Sequence, residues 1–333
     1  MAVLVTGGAG YIGSHMVLEL LEAGEKVVVL DDLSTGRRDA VPAEATFVRG
    51  KVGDAPRVKA LIERHGVEEV MHFAAAIIVP ESHSNPLKYY LNNTAETARL
   101  FQTAAEAGVK RVIFSSTAAV YGQAAAGSEG EALSERAPLG PISPYGASKM
   151  MSERILADAA AAYGFRYAIL RYFNVAGADP YGRAGQSSPV ATHLIKIAAE
   201  CAVGARDGMK IFGEDYATRD GTCERDYVHV SDLATAHLRA LHHLRARGES
   251  DVFNVGYGQG ATVREVIEAV CAVADRPFEA TPAERRAGDP DRLVADAAKL
   301  RETLGWTPRH ADLATIVKHA LAWERRLHAS RAA

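Results

Sequence analysis

A tyrosine and a lysine four residues apart, Tyr145 and Lys149, could together abstract a proton. A helix is predicted to begin near Lys149, and one helical turn would bring the phenol and the ammonium group to the same side. A free phenol has a pKa of about 10 and is a poor base at neutral pH. Because nearby cations favour the phenolate, we expect the pKa of Tyr145 to be lowered toward the working range. The hydroxyls of Ser116 and Thr117 follow a predicted strand and would lie beside the same sheet edge.

A second pattern opens the chain, where Gly7, Gly10 and Gly13 fall between a predicted strand and a predicted helix. Without Cβ atoms the backbone can turn tightly and approach a pyrophosphate, whose charge meets the free N–H groups and dipole of the helix start. The next predicted strand ends in Asp31, 18 residues after Gly13. An acid at about this place accepts hydrogen bonds from an adenosine ribose. The pattern therefore predicts a dinucleotide site.

The charges that follow this strand favour one form of the dinucleotide. Asp31 and Asp32 would repel a 2′-phosphate, whereas Arg37 and Arg38 lie several residues farther along the chain. We therefore expect NAD rather than NADP.

Short apolar runs alternate with helical patterns in the first half of the chain, which is typical of βαβ units on a parallel sheet. The strand candidates are residues 2–5, 27–30, 46–48, 70–73, 112–115 and 168–171. The helix candidates between them are residues 12–23, 55–65, 94–107 and 149–163. The sequence thus predicts an α/β protein with a Rossmann-like doubly wound parallel sheet.

The pattern loosens after residue 171 into stretches punctuated by glycine and proline. Helices are predicted at residues 193–202, 230–244, 263–274 and 311–326, and a strand at 253–255. We expect a dinucleotide-binding domain over 1–172, with return segments near 226–256, and a smaller C-terminal substrate-binding lobe over 173–333. This lobe would lie at the carboxyl edge of the sheet, where open α/β folds bind ligands.

The composition argues against several classes of binding partner and indicates the cellular compartment. With 38 basic and 41 acidic residues the formal charge is -3, so no net basic field would recruit nucleic acid or anionic lipid. No window holds the 18 or so apolar residues that a membrane span needs. The three cysteines are widely spaced and lack the pattern of a zinc site. We expect a soluble cytoplasmic protein with no metal, no nucleic-acid partner and no membrane partner.

Six motifs together resemble the extended short-chain dehydrogenase/reductase family, and within it the nucleotide-sugar 4-epimerases, over essentially the whole chain. They are TGGAGYIG at 6–13, HFAA at 72–75, SSTAAVYG at 115–122, YGASK at 145–149, RYFN at 171–174 and RDYVHV at 225–230. The set is specific because the motifs keep the family's order and approximate spacing. The resemblance implies an enzyme with NAD as cofactor, a UDP-hexose as substrate and a homodimeric state.

The residues after Thr117 choose between the reactions of this family. Nucleotide-sugar dehydratases are similar to one another in placing carboxyl side chains there, whereas this chain has Ala118 and Ala119. A methyl group cannot shuttle protons, so dehydration is disfavoured. The resemblance then implies reversible C4 epimerisation of UDP-glucose and UDP-galactose through a transient 4-keto sugar. In it Tyr145 would take the 4-hydroxyl proton, Lys149 would hold the phenolate and the nicotinamide ribose, and Thr117 would hydrogen-bond the reacting oxygen.

The resemblance also assigns binding residues by position. The implied cofactor contacts are Gly7, Gly10, Tyr11, Ile12, Gly13, Asp31, Asp32, Ser34, Thr35, Gly36, Val52, Phe73, Ala74, Ala75, Ile77, Asn92, Ser115, Tyr145, Lys149 and Tyr172. The implied substrate contacts are Thr117, Tyr145, Asn174, His193, Leu194, Lys210, Phe212, Arg225, Tyr227, Arg286 and Asp289. Two guanidinium groups suit a diphosphate, and an acid suits a ribose diol.

The chain departs from the family pattern beside the predicted adenine site. Lys51 stands where the family usually has an aspartate that accepts a hydrogen bond from the adenine amine. Lysine has only donors, so that contact is lost or reversed. Either Asp54 reaches in, or adenine is held by the backbone near Val52 and by stacking alone.

Three more departures concern the nicotinamide and the sugar. Ile77 stands where some members carry a lysine, and His193 replaces a common asparagine. Leu293 falls at the position thought to gate hexose size, where tyrosine would exclude an N-acetyl group and a small residue would admit it.

The same residues leave two alternative functions open, and the packing of two helices is open as well. The chain could be a 4-epimerase of UDP-xylose and UDP-arabinose or of UDP-N-acetylhexosamines, which differ in pocket volume, or a non-catalytic NAD-sensing protein. The implied homodimer would form a four-helix contact through helices 94–107 and 149–163, although the apolar faces of these helices could equally pack inward.

Overall fold

A computed structural model of the chain describes residues 1–122, 131–188, 190, 192–274, 276–286 and 289–332. Its strands are β1 Ala2–Thr6, β2 Lys26–Asp31, β3 Thr46–Arg49, β4 Val67–His72, β5 Arg111–Ser115, β6 Arg166–Tyr172, β7 Asn174–Ala176, β8 Gly208–Phe212, β9 Glu224–His229, β10 Asp251–Val255, β11 Gly260–Thr262, β12 Glu279–Ala283 and β13 Arg292–Leu293. Its α-helices are α1 Tyr11–Glu22, α2 Ala55–His65, α3 Val79–Ser84, α4 Pro86–Tyr89, α5 Glu96–Glu106, α6 Pro144–Tyr163, α7 Leu194–Ala202, α8 Val230–Arg245, α9 Val263–Ala274, α10 Ala298–Leu304 and α11 Leu313–Ala332.

The larger sheet is parallel and has the strand order β10-β6-β5-β4-β1-β2-β3 within the described residues. The chain runs outward from β1 to β3 and then crosses back to β4 on the other side of β1. This reversal opens a crevice at the carboxyl ends of β1 and β4, where such sheets bind ligands. The prediction of a doubly wound parallel sheet is confirmed.

Helices cover both faces of this sheet because its strands are apolar on both faces. Alternate residues of β1 point to opposite sides, so Val3 and Val5 pack with α1 and α8 while Leu4 packs with α2, α5 and α6. Met16 and Leu241 belong to the first of these two cores. Two apolar cores thus fix the carboxyl ends of the strands relative to the helices that carry the candidate site.

The second half of the chain contains short strands that the loose sequence pattern did not predict. β9 pairs with β7, β11 and β13 in a small mixed sheet, while β8 pairs with β12. β10 instead joins the large sheet beside β6. Strands of two to six residues carry too little periodicity to be distinguished from loops in the sequence.

Two helices begin at places that differ from the sequence predictions. Helix α6 begins at Pro144 rather than at Lys149, and the Ser143 hydroxyl caps it by accepting a hydrogen bond from the Gly146 amide at 3.1 Å. Serine followed by proline is a helix-start signal that the prediction overlooked. Helix α5 begins at Glu96 and is preceded by a π-helical turn, Tyr90–Ala95. The predicted start at residue 94 falls inside this turn. Because α6 starts earlier, Tyr145 belongs to its first turn.

A few features are absent from the part of the chain that the structure describes. There, no helix has both the length and the apolar composition that crossing a bilayer requires. The same residues contain no group of histidine, cysteine, aspartate or glutamate side chains arranged to hold a metal ion. Cys201, Cys223 and Cys271 are free thiols.

We expect Ser143→Ala to lower the free energy of unfolding by about 1 kcal/mol, because the amide of Gly146 loses its capping partner. Urea denaturation of the variant and the parent protein measures the difference. Ser84→Ala is the matched control, since Ser84 is exposed and bonds only the carbonyl of Glu81. An equal loss in both variants would contradict the capping role.

Candidate active site

The turn between β1 and α1 has no room for side chains at its glycines. Gly7 has a φ of +72°, and a Cβ there would lie 2.5 Å from the amide nitrogen of Ala74. A Cβ at Gly13 would lie 2.1 Å from the carbonyl oxygen of Gly7. Helix α1 starts at Tyr11 with no side-chain cap and no acidic residue in its first turn. The free N–H groups of this helix start and the tight glycine cradle fit the phosphates of a dinucleotide.

Asp31 lies at the end of β2 against this turn. Its carboxylate accepts hydrogen bonds from the backbone amides of Ala9 at 2.9 Å and Leu33 at 2.8 Å. Burial raises the pKa of Asp31. Gly36 packs so closely on Ala9 that a Cβ there would lie 2.8 Å from it. The acid is therefore fixed beside the glycine turn, at the place where the sequence predicts an adenosine ribose.

The side chains that follow Asp31 do not form an anion site. Asp32 accepts a hydrogen bond from the Ser34 amide at 2.8 Å. Arg37 is bound to the carboxylate of Asp39, and the guanidinium of Arg38 lies 4.7 Å from the centre of the Phe47 ring. Both guanidinium groups thus already have partners of their own, which fits NAD better than NADP.

A buried asparagine that the sequence analysis did not single out fixes the loop after β4. The Oδ1 atom of Asn93 accepts a hydrogen bond from the Ala76 amide at 2.8 Å, and its Nδ2 donates to the Ala76 carbonyl at 2.9 Å. Asn92, the predicted contact, is exposed and donates to Asn93 at 3.0 Å. The π-helical turn places Asn93 inward, and nothing in the sequence marks that turn. Ile77 in the same loop is 47% exposed.

Aromatic side chains gather at the carboxyl ends of β4 and β6. The rings of Phe73 and Tyr172 lie 4.9 and 6.2 Å from the ring of His237, a buried histidine on α8. The hydroxyls of Ser115 and Tyr172 are hydrogen bonded to each other. Three of the predicted cofactor residues therefore share one wall of the crevice.

The predicted acid-base residues meet at the end of β5. Tyr145 and Lys149 lie one turn apart in α6, and both are buried. The Lys149 ammonium donates a hydrogen bond to the carbonyl of Ser115 at 2.8 Å and lies 4.8 Å from the centre of the Phe114 ring. The Thr117 side chain lies close enough to the Tyr145 phenol to oppose the rise of its pKa. The structure therefore brings all three predicted catalytic side chains to one strand end.

The expected lowering of the Tyr145 pKa does not occur in the protein alone. Burial raises the pKa of Tyr145 to about 12, although the Thr117 side chain opposes this rise. Burial also lowers the pKa of Lys149 from 10.5 to about 7, while Glu153 acts in the opposite direction. Without the cofactor, the desolvation of both groups outweighs the attraction between them. The prediction took the nearby cations to be Lys149 and the nicotinamide of a bound cofactor, so it stays a prediction for the protein with its cofactor. A second positive charge near the phenol is needed to make it a base at neutral pH.

Glu153 is the centre of a buried network that sequence reasoning missed. The Arg171 guanidinium donates to its carboxylate at 3.0 Å from Nε and 2.6 Å from Nη2, and the Ser116 hydroxyl also donates to it. Arg171 donates further to the Tyr121 hydroxyl at 3.2 Å. Glu153 follows Lys149 by one helical turn, so the network joins α6 to the ends of β5 and β6. The sequence feature that could have revealed Glu153 is an acidic residue on the inward face of the predicted helix.

The predicted diphosphate and uracil residues form two pairs in the second half of the chain. The Arg225 guanidinium contacts the Asp289 carboxylate at 2.5 Å. The Arg286 guanidinium lies 4.0 Å from the centre of the Phe212 ring. Lys210, two residues before Phe212 on β8, is exposed. The two arginines are therefore positioned by an acid and by a ring before any ligand is present.

Four of the predicted substrate residues line one small cavity of about 20 Å³, which is room for about one water. They are Asn174, His193, Leu194 and Tyr227. His193 is hydrogen bonded to the Gln186 amide nitrogen at 2.8 Å, and burial lowers its pKa, so the ring is neutral at pH 7. The described geometry does not bring this cavity into contact with Tyr145.

The sequence left two ways of holding adenine, by Asp54 or by the backbone near Val52 and stacking. The contacts of Asp54 argue against the first. Lys51 is exposed. Asp54 caps α2 by accepting from the Arg57 amide at 3.2 Å, and its other oxygen binds the Arg57 guanidinium at 3.0 Å. Asp54 therefore does not reach into the crevice, because the helix cap and its salt bridge occupy it.

The residues after Thr117 form a short 3-10 turn, Ala118–Val120. Ala118 is buried in a small apolar cluster with Phe173 and Ala295, and Leu293 packs against that cluster. No carboxyl group stands at either alanine position, so the turn offers no proton-transfer group of its own.

Comparisons with known proteins agree with this geometry over nearly the whole chain. Residues 3–256 match the model of the NAD dependent epimerase/dehydratase family. A UDP-glucose 4-epimerase of Azospirillum brasilense is 55% identical over 98% of this chain and 93% of the relative. The structure of UDP-glucose 4-epimerase from Brucella ovis in complex with NAD has a TM-score of 0.92 at 41% identity, covering 97% of this chain and 98% of that one. The structure of the UDP-Glc/GlcNAc 4-epimerase from Campylobacter jejuni has a TM-score of 0.84 at 49% identity. The match covers 98% of this chain and 99% of that one.

We expect Glu153→Gln to lower the free energy of unfolding by about 3–5 kcal/mol, because the Arg171 charge stays buried without its partner. The alkaline limb of the pH profile of kcat/KM should also move to lower pH. The reason is that Glu153 raises the pKa of Lys149, so its loss lets Lys149 lose its proton at a lower pH.

Asp158→Asn is the matched control for this variant. Asp158 also pairs with an arginine on α6, but both side chains are exposed, so the expected change in stability is below about 1 kcal/mol. Urea denaturation and initial rates at several pH values measure both variants. An unshifted alkaline limb in a folded Glu153→Gln protein would show that Glu153 does not support the charge of Lys149.

Proposed function

The chain belongs to the NAD dependent epimerase/dehydratase family, and on that basis we propose that it is an isomerase that interconverts UDP-glucose and UDP-galactose. The predicted family resemblance is confirmed. The observation that carries the reaction is the meeting of Tyr145, Lys149 and Thr117 at the end of β5, followed by Ala118 and Ala119. This arrangement supplies one base and no further proton-transfer group, which suits inversion rather than dehydration.

NAD is the cofactor, and the glycine cradle and Asp31 are the groups that would hold its phosphates and adenosine ribose. When bound, NAD would supply reversible hydride transfer at C4 of the sugar, so the overall reaction would have no net redox change. We propose the remaining predicted cofactor contacts in the same roles, with Phe73, Ser115 and Tyr172 beside the nicotinamide. The wall that these three side chains share supports this assignment.

The chain's own part in the reaction is to move one proton and to hold the reacting oxygen. Tyr145 removes the proton from the 4-hydroxyl and returns it after the sugar has turned, and Thr117 hydrogen-bonds the same oxygen. Lys149 stabilises the phenolate. Because burial opposes the ionised phenol, the positive charge of the oxidised nicotinamide would add to that of Lys149 when both sites are filled. Base strength would then be linked to cofactor occupancy.

We propose that the substrate is anchored by its UDP portion. Arg225 and Arg286 would bind the diphosphate, Phe212 would contact uracil and Asp289 the ribose. Asn174 would belong to the same UDP anchor, with His193 and Leu194 as further substrate contacts. Arginine forks suit a diphosphate, and the pairs in which these arginines already lie support the assignment. A hexose that must present both faces of C4 is best held loosely, with binding energy taken from the nucleotide.

We propose that the cofactor domain comprises 1–172 with the return segments near 226–256, and that 173–333 form the substrate lobe. The pairing of β10 beside β6 in the large sheet supports such a return. We also propose a cytoplasmic role in galactose metabolism, which the three free thiols suit because they need a reducing compartment.

We propose a homodimer that uses α6 together with α5 and the helical segment before it. The apolar residues of α5 and α6 that pack inward include Leu100 and Leu156. Others point outward: Leu87 is 69% exposed, Leu91 65% and Met151 41%. These side chains lie on segments that pack against each other, and an apolar patch of this kind favours a protein partner.

We expect the purified protein to convert UDP-galactose into UDP-glucose without added NAD, and Tyr145→Phe to lower kcat by at least about a thousandfold, since the base is lost. Chromatographic separation of the two sugar nucleotides measures both. Tyr163→Phe is the matched control, because Tyr163 is exposed at the far end of the same helix and should be as active as the parent.

Equimolar UDP-galactose and UDP-N-acetylgalactosamine in one reaction decide the substrate class. The Campylobacter relative is named for UDP-Glc and GlcNAc, which are the 4-epimers of these two sugars, and Leu293 is intermediate in size. Absence of UDP-glucose, or unchanged activity in Tyr145→Phe, would refute the proposed reaction.

We expect the double change Leu91→Glu and Met151→Glu to convert the dimer into monomers, because two like charges from each subunit would face each other across the contact. Light scattering after gel filtration measures the mass. Tyr181→Glu, at a residue 80% exposed elsewhere on the chain, should leave the mass unchanged. A dimer that survives the double change would place the interface on another surface.

A further inference from the structure

The loop after β3 lies directly against the first turn of α5. A Cβ at Gly53 would lie 1.8 Å from Oε2 of Glu96 and 2.5 Å from its Cδ. The Glu96 carboxylate thus occupies the space that a side chain at position 53 would fill. Gly53 is next to Val52, which is one of the residues assigned to the cofactor. The fold therefore places a carboxylate at the loop where the base of the dinucleotide is expected.

This carboxylate has no other strong partner among the described residues. Its nearest cation is the Arg99 guanidinium at 3.6 Å, and the Arg99 side chain is 65% exposed whereas that of Glu96 is 27% exposed. An exposed pair at this distance contributes little. A glutamate that served only the start of a helix would not need a glycine across from it. The close approach to Gly53 points to a role in the crevice.

The backbone beside Glu96 offers the complementary group. The Val52 N–H has no hydrogen-bond partner in the described part of the chain, whereas the Gly50 amide donates to the Asp31 carbonyl at 3.0 Å and ties the loop to β2. Adenine presents the N1 acceptor beside the 6-amino donor. An N–H without a partner one residue before Gly53, and a weakly paired carboxylate against Gly53, supply the donor and the acceptor that this edge requires.

We propose that Glu96 recognises the adenine of the dinucleotide by accepting a hydrogen bond from the 6-amino group while the Val52 N–H donates to N1. The acceptor is thereby supplied from α5 instead of from the end of β3, where Lys51 has only donors and Asp54 is committed to Arg57. This inference rests on the proposed use of NAD and makes Glu96 a specificity residue for the base.

The experiment is a competition between NAD and nicotinamide hypoxanthine dinucleotide, which carries a 6-oxo group in place of the amine and a proton on N1. The protein is incubated with an equal excess of both, separated from free nucleotide and denatured, and the released nucleotides are quantified. We expect the parent protein to retain NAD over the analogue by about tenfold, which corresponds to ~1.4 kcal/mol. A carboxylate would face the 6-oxo oxygen with no proton between them.

In Glu96→Gln we expect the ratio to fall several-fold below that of the parent, because the glutamine amide can donate to the 6-oxo oxygen while the mismatch between the Val52 N–H and the protonated N1 is the same in both proteins. Glu96→Ala should also weaken the preference, and it tests the proposal if the glutamine variant does not fold. Glu106→Gln is the matched control, since Glu106 is exposed on the same helix and bonds only Gln102, so its ratio should equal that of the parent.

The outcomes separate this inference from the proposed function. A parent protein that retains both nucleotides equally, or a Glu96→Gln protein with the parent's ratio, overturns the role of Glu96 while leaving NAD binding intact. A parent protein that retains neither nucleotide and forms no UDP-glucose overturns the proposed function itself.

Discussion

Burial of a phenol and an ammonium group at one strand end is the constraint on which the rest of the site depends. Tyr145 and Lys149 are both removed from water, and desolvation disfavours the charged form of each. The pair alone is thus a weak base, and the charge of Glu153 raises the pKa of Lys149 against the effect of burial. Arg171 in turn compensates Glu153, so the charge balance extends from α6 into β6. Each buried charge in this network is compensated by a neighbouring charge of opposite sign.

The parallel sheet explains why these groups meet at all. Carboxyl ends of parallel strands share one edge, and the strand order reverses between β1 and β4, which opens the crevice there. The glycine turn fills the floor of that crevice without side chains, so phosphates can approach the start of α1. Asp31 and Asn93 then fix the neighbouring loops by hydrogen bonds to backbone amides. Rigid loops on a rigid sheet give the cofactor and the base a fixed relation.

The sequence predicted the features that depend on local pattern. Glycine spacing, the alternation of strands and helices and the pair Tyr145 and Lys149 all follow from neighbouring residues. It did not predict the pKa of Tyr145 in the protein without its cofactor, since burial depends on the whole fold. Nor did it reveal Asn93 or Glu153, because their partners are distant in the chain and a π-helical turn sets the direction of Asn93. The short strands of the second half were missed because two to six residues show no periodicity.

The proposed substrate lobe is organised on a different principle from the cofactor crevice. Its two proposed diphosphate arginines already have partners, Arg225 in Asp289 and Arg286 in the ring of Phe212, so they are held in place before a diphosphate arrives. A ligand that binds there must share or displace these contacts, which lowers net affinity but removes the entropy cost of ordering two long side chains. A nucleotide diphosphate has enough charge to compensate that loss, whereas a hexose does not. Binding energy therefore concentrates on the nucleotide, and a sugar attached to it would keep the rotational freedom that inversion at C4 requires.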